Sequence, residues 1–229
     1  MNIIILCGGL SSRLGNITKT IPKILLDVRG KTVLDWQLEM VRPLGVTDVV
    51  FAAGHLSDVL LNTIGNERMG YNLTYAIETK KLGTGGAIKN ALAHVSRPEE
   101  PTLILNGDIL AHIDLLDMVG RLRSESEGMM LGARVDDASC YGTLEYDDQK
   151  RLLQFKEKEG IEKPGYINGG IYLFTPHAHA HFPDTDAFSI EYDVFPNMKN
   201  LSVYESDEPW IDVGVPERLA WAREHWTSL

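Results

Sequence analysis

Apolar residues in the first half of the chain come in short runs broken by polar and glycine-rich stretches. Asn2–Cys7 is isoleucine-rich and ends in Gly8-Gly9, the pattern of a buried parallel strand meeting a turn. Apolar residues at 33, 34, 38 and 41 follow Thr32 at helical spacing, which predicts a threonine-capped helix over 32–42. Apolar runs predict further strands over 48–53, 73–77 and 102–105, the last stopped by Asn106-Gly107-Asp108; helical patterns fill 55–64, 85–95 and 114–123. Strand and helix thus alternate, which predicts a doubly wound, mostly parallel α/β sheet. Ligands of such sheets sit at the carboxyl ends of the strands, where Gly8-Gly9 and Asp108 fall.

The second half is less regular. Strands are expected over 129–135, 142–146, 151–155 and 166–174, several of them antiparallel, with helices over 189–195 and 216–226. No repeat or long linker interrupts the chain, so the expectation is one domain over 1–229, with halves 1–125 and 126–229 and a small antiparallel insertion on the substrate side.

Composition narrows the partners. The 229 residues carry 22 basic and 32 acidic side chains, a net charge of −10, with 44% hydrophobic and 24% charged positions. These values exclude wholesale disorder, and the acid excess argues against nucleic acid and anionic membrane surfaces as partners. A few local cations still suffice for a phosphate ligand. No apolar run approaches the about 18–20 residues of a membrane span. MNIIILCGGL has no basic leader and reads as a strand, not a signal peptide. Two cysteines, Cys7 and Cys140, cannot make a disulfide framework or a four-cysteine zinc site, so a reducing cytoplasm is expected.

Four segments could carry chemistry. Gly8-Gly9-Leu10-Ser11-Ser12-Arg13-Leu14, with Pro22-Lys23 downstream, is a glycine-rich turn after a strand, able to bring backbone N–H groups and two cations to a polyphosphate, or simply a tight turn. It matches neither the GxGxxG nor the P-loop fingerprint. Leu82-Gly83-Thr84-Gly85-Gly86 opens a helix, either as an anion-binding N-terminus or as a glycine-rich start packed on the sheet. Asp108 and Asp212 each end an apolar run; beside a phosphate site such carboxylates are natural Mg²⁺ ligands, and singly each is a turn residue. Asn168 before Gly169-Gly170 in an apolar strand suggests a bulge or a ligand approaching the backbone, alongside Glu157-Lys158. His177, His179 and His181 would share a face only in a strand, and Pro176 argues for a helix start instead. Cys7 reads as a buried strand residue, not a nucleophile.

Taken together, GGLSSRL with Pro22-Lys23, LGTGGAI at 82–88, LNGD at 105–108, YGT at 141–143, EK at 157–158, NGGIY at 168–172 and WIDVGVPE at 210–217 resemble, in order, the sugar-1-phosphate nucleotidyltransferases. LGTGGAIK, INGGIYLF and IDVGVPE look like the D-glycero-D-manno-heptose 1-phosphate guanylyltransferase branch. The resemblance implies a Rossmann-like nucleotidyltransferase fold, a nucleotide-binding first half and a sugar-phosphate-binding second half. It implies that Gly8, Gly9, Leu10, Ser12, Gly83, Thr84 and Asn106 hold an NTP, that Arg13 neutralises the departing pyrophosphate and that Lys23 neutralises the reacting phosphates. Asp108 and Asp212 would hold Mg²⁺, with Mn²⁺ as a substitute. Lys158 would grip the sugar phosphate, with Gly142, Glu157 and Asn168 on the sugar. Glu78, at a strand end near Gly83, would accept the paired donors of guanine, making GTP the expected donor.

Ser11 stands where the family loop usually has a third glycine, which requires strain or a changed loop if that position needs positive φ. The family's carboxyl-terminal β-helix domain is not expected. Rival expectations are a uridylyltransferase acting on a sugar such as N-acetylmuramate 1-phosphate, a non-catalytic nucleotide-sugar sensor, and a glycosyltransferase, which would favour an Asp-x-Asp motif where Asn106-Gly107-Asp108 stands. A homo-oligomer is left open.

Overall fold

The elements follow the hydrophobic pattern closely. The computed structural model describes residues 1–123, 125–156, 160 and 162–227. Its first half contains β1 (Asn2–Leu6), a 3-10 stretch over Ser12–Thr18, the hairpin β2 (Asp27–Val28) and β3 (Lys31–Thr32), α1 (Val33–Val41), β4 (Asp48–Ala53) and α2 (Ser57–Ile64). It continues with β5 (Glu67–Arg68), β6 (Tyr71–Ile77), α3 (Gly83–Leu92), β7 (Thr102–Asn106), β8 (Ile109–Ala111) and α4 (Leu115–Gly120). The second half adds β9 (Gly128–Val135), β10 (Thr143–Tyr146), β11 (Leu152–Lys156), β12 (Gly165–Phe174), β13 (Leu201–Ser206), β14 (Trp210–Asp212) and α5 (Pro216–His225).

Strands β7, β1, β4 and β6 lie side by side in that order, all parallel. β12 runs antiparallel to β7 and carries β9 and β10, so both halves of the chain share one mixed sheet. Alternation of side chains along each strand divides the core in two. Ile3, Ile5, Leu103 and Leu105 join one face with Leu34, Leu38 and Leu60, while Ile4 and Ile104 join the other with Ile88 and Ala91. The helices on the two faces cover strands that are apolar throughout, as a doubly wound sheet requires.

A third apolar cluster lies off the sheet. Leu14, Leu26 and Val28 pack against Ile211, Val213 and Leu219. This ties the loop after β1 to β14 and α5, although about 200 residues separate them in sequence. β14 pairs antiparallel with β8, Asp212 opposite Ile109.

The expected helix over 189–195 is a single π-type turn, Ile190–Val194, capped by the Ser189 hydroxyl. Pro196 offers no N–H to continue it. Pro176–His181 is a 3-10 turn, so the three histidines do not share a strand face. His181 Nε2 pairs with Glu127 Oε1 at 2.5 Å, and no cluster of three or more metal-type side chains occurs among the described residues.

Candidate active site

The parallel strands β1, β4, β6 and β7 deliver their carboxyl ends to one cleft of about 530 Å³. Gly8, Gly9, Leu10, Lys23, Glu78, Gly83, Thr84, Asn106 and Asp108 all line it. Ser12 and Arg13, both exposed, continue the loop beyond that lining. A larger hollow of about 840 Å³ opens beside β13 near Arg121 and Tyr204. It holds no residue from the parallel strand ends, so the smaller cleft is the candidate site.

At one end of the cleft Glu78 lies over the glycine turn. A Cβ on Gly8 would stand 2.9 Å from Glu78 Oε1 and 3.1 Å from the Gly54 nitrogen, so glycine allows this approach without displacing the Glu78 carboxyl. Burial raises the Glu78 carboxyl above the usual range, offset in part by the Leu82 N–H at 3.3 Å and the charge of Lys81. Burial, with Glu78 beside it, also pushes the Cys7 thiol up to about 12. Cys7 is therefore a thiol at neutral pH and not a nucleophile.

The opposite end is ionic. Lys23 Nζ donates to Asp108 Oδ2 at 2.5 Å. The β8–β14 pairing draws Asp212 alongside, and the Val213 N–H donates to the Asp108 carbonyl at 2.9 Å. A Cβ on Gly214 would lie 2.9 Å from Asp212 Oδ1, 3.3 Å from Asp108 Oδ2 and 3.6 Å from Arg13 Nη2. Three of the residues singled out in the sequence therefore converge on one point, and the glycine of IDVGVPE leaves that point open. Ser11 has φ 50° and ψ 33°, the left-handed region that glycine prefers. Its carbonyl accepts from Leu14 N–H at 3.0 Å and the Thr18 hydroxyl at 3.0 Å, which hold the strained turn. The loop thus keeps the glycine geometry despite the serine.

Arg218 completes this end and was not read from the sequence. Its Nη2 donates to Asp212 Oδ1 at 2.6 Å, its Nε to the Asp212 carbonyl at 2.9 Å and its Nη1 to the Tyr141 hydroxyl at 2.7 Å. In the first turn of α5, it carries no motif; only its nearness in sequence to Asp212 hints at the contact.

The second glycine segment divides in function. Gly83 and Thr84 line the cleft, but the N–H groups of Gly85 and Gly86 donate to the Phe188 carbonyl at 3.0 and 3.3 Å. A Cβ at Gly85 would strike the Phe188 ring, and one at Gly86 the Asp186 carbonyl. These two glycines serve packing, and the start of α3 is closed by the chain itself. The Thr84 hydroxyl donates to Glu191 Oε2 at 2.7 Å and accepts from the Ile190 N–H at 3.0 Å.

On the second-half side, β12 shifts register against β9 between Asn168 and Tyr172, with Gly170 at φ 70°. This is the bulge expected there. Asn168 Oδ1 accepts from Gly170 N–H at 3.0 Å, and Trp210 Nε1 donates to the Gly169 carbonyl at 2.9 Å. Gly142 sits where a Cβ would be 2.8 Å from the Lys156 carbonyl, next to Tyr141 and hence to Arg218. Glu157 and Lys158 lie outside the described residues.

Known proteins share this architecture. The nucleotidyl transferase family model matches residues 2–228. The D-glycero-alpha-D-manno-heptose 1-phosphate guanylyltransferase of Campylobacter jejuni is 36% identical over 220 residues, 95% of this chain and 96% of that one. The enzyme of the same name from Aneurinibacillus thermoaerophilus is 32% identical over 221 residues, covering 95% and 94%. The crystal structure of HddC from Yersinia pseudotuberculosis complexed with GMP-PN superposes with a TM-score of 0.85 at 29% identity, covering 97% of this chain and 98% of that one. The chain belongs to the nucleotidyl transferase family, among the sugar-1-phosphate nucleotidyltransferases.

Proposed function

We propose that this protein transfers GMP from GTP to a sugar 1-phosphate, D-glycero-α-D-manno-heptose 1-phosphate being the favoured acceptor, and releases pyrophosphate. The observation that carries the reading is the polarity of the cleft. A partly desolvated carboxylate at Glu78 marks one end, and Lys23 and Asp108 line the other, with Asp212 and Arg13 meeting Asp108 just beyond the lining. That arrangement suits a base at the first end and a triphosphate at the second.

The reaction needs little covalent help. An oxygen of the sugar phosphate bonds to the α-phosphorus of GTP, the bond from that phosphorus to the bridging oxygen breaks, and pyrophosphate leaves with the electron pair. The nucleophile is already an anion, so no general base is required; charge neutralisation and in-line placement are. Arg13 and Lys23 supply fixed positive charge to the phosphates. Two aspartates, with no third metal-type side chain clustered on them among the described residues, fit an ion that completes its shell with phosphate oxygens and water. Mg²⁺ held there by Asp108 and Asp212 supplies further neutralisation, and Mn²⁺ can replace it. Gly142, Glu157, Lys158 and Asn168 take the sugar phosphate. No helix of the described residues is long and apolar enough to cross a membrane. We place the enzyme in the cytoplasm on a separate ground, the supply of its nucleotide substrate.

The test is pyrophosphate release from GTP, UTP, CTP, ATP and dTTP against a panel of sugar 1-phosphates. GTP with the heptose phosphate should give the highest kcat/KM. Glu78→Gln should lower kcat/KM for GTP about ten-fold or more, since losing a charged acceptor is worth roughly 1.5–3 kcal/mol. A preference for UTP, or a Glu78→Gln variant indifferent to the base, would overturn the guanine assignment and leave nucleotidyl transfer standing.

A further inference from the structure

Helix α1 buries a polar side chain within an apolar stripe. Its inward residues are Val33, Leu34, Gln37, Leu38 and Val41, and an apolar residue at 37 would continue the stripe. Gln37 is 1% exposed. Its Nε2 donates to the Asn106 carbonyl at 2.8 Å and to the Ile109 carbonyl at 2.9 Å. Its Oε1 is buried with no hydrogen-bond partner among the described residues. An unpaired buried acceptor is destabilising, and methionine would fill the same space without one. Packing therefore does not call for glutamine; the two donated bonds do.

Those bonds grip the carbonyls on either side of Gly107-Asp108, the last residue of β7 and the first of β8. Gly107 has no side chain to anchor the turn, and its N–H is already spent on the Leu6 carbonyl at 2.8 Å. Ile109 is also the residue opposite Asp212 in the β8–β14 pair. A single amide thus braces the turn carrying one aspartate and the strand pair carrying the other.

We propose that Gln37 is a positioning residue for the metal-binding aspartates, holding the 106–109 turn so that Asp108 keeps its place beside Asp212. The inference rests on the reading of Asp108 and Asp212 as ligands of a divalent cation. Gln37 touches neither substrate nor metal and acts only through the backbone of that turn.

Gln37→Met removes the donors at similar volume, and Gln37→Asn keeps the amide but shortens its reach. Amide hydrogen exchange on the whole chain should accelerate about ten-fold in residues 106–110 of either variant while the rest of the sheet keeps its protection. In pyrophosphate-release assays, the Mg²⁺ concentration for half-maximal rate should rise about ten-fold, so that turnover at Mg²⁺ well below saturation falls by about the same factor. KM for the sugar phosphate should stay constant, and excess Mg²⁺ should restore most of the rate. A folded variant with unchanged exchange at 106–110, or with an unchanged Mg²⁺ response, overturns the assignment. So does unfolding of both variants, which would make Gln37 a packing residue. If the wild type releases no pyrophosphate from any NTP, the nucleotidyl transfer reading fails, and the exchange measurement alone decides the role of Gln37.

Discussion

Glu78 shows how a single residue can set function against stability. Its carboxyl is pushed upward by burial over Gly8 and Gly54, and the Leu82 N–H and Lys81 only partly compensate. A carboxyl raised in the folded state is harmless below its unfolded value, where both states are protonated. It weakens the fold as pH rises through the raised value, because the unfolded chain ionises more easily. Glu78→Gln should therefore melt at a higher temperature than wild type at pH 7. The difference should vanish below about pH 4, the ordinary glutamate range. Thermal unfolding between pH 3.5 and 8 checks this; a variant no more stable than wild type at pH 7 would show that the carboxylate is not strained there. The same substitution lowers GTP turnover under the proposed function, the usual conflict between a built site and a comfortable fold. Ser11 pays a similar local cost, holding a left-handed turn so that Arg13 reaches the ionic end of the cleft.

At the scale of elements, α1 is the brace of the site, and its first turn is built accordingly. Thr32 Oγ1 accepts from the Asp35 N–H at 3.1 Å, and Asp35 Oδ2 accepts from the Thr32 N–H at 3.0 Å, a reciprocal cap. Arg68 then clamps Asp35 through Nε at 2.6 Å and Nη2 at 2.8 Å. Burial raises the Asp35 carboxyl, but the bonds from Arg68 and Thr32 outweigh it and the net shift is downward. A depressed carboxyl stabilises above its unfolded value and loses that contribution as pH falls through the folded one. Asp35→Asn should destabilise the protein by about 1–2 kcal/mol at pH 7, and the gap should close as pH falls below about 3.9. Urea unfolding at pH 7 and pH 3 measures both. An equal gap at the two pH values would remove the ionic part of the argument. The Thr32 cap and the helical spacing behind it were readable in the chain, but Arg68 as the clamp was not, because it arrives from the two-residue strand β5.

The molecule as a whole is held by β12. This strand pairs with β7 of the first half and with β9 and β10 of the second, so strands of both halves share one sheet. The third cluster adds a second tie, packing Leu14 and Val28 against Val213 and Leu219. The two halves should therefore unfold together, with calorimetric and van't Hoff enthalpies equal and far-UV and tryptophan signals coincident. Two resolved transitions would make them separate domains.

Local chemistry was enough to place the core and the rim of the cleft. Short apolar runs and the 3.6-residue period marked the main strands and helices, and glycines and aspartates at strand ends marked the candidate cleft, because both signals are carried by neighbouring residues. The order of the motifs likewise pointed to the family. The tertiary structure alone decided which distant groups meet. Asp108 joins Asp212 through the pairing of β8 with β14, two strands of three residues each; the apolar run before Asp212 was legible, but no local signal says which strand it pairs with. Arg218 and Gln37 act from helix faces that look ordinary in sequence. Glu78 reaches Gly8 because β4 lies between β1 and β6, an order no local signal encodes. The start of α3 admitted both an anion-binding and a packing reading, and only the arrival of the Phe188 carbonyl assigned Gly85 and Gly86 to packing. Periodicity reports which face of an element is buried; what it is buried against depends on contacts across the whole chain.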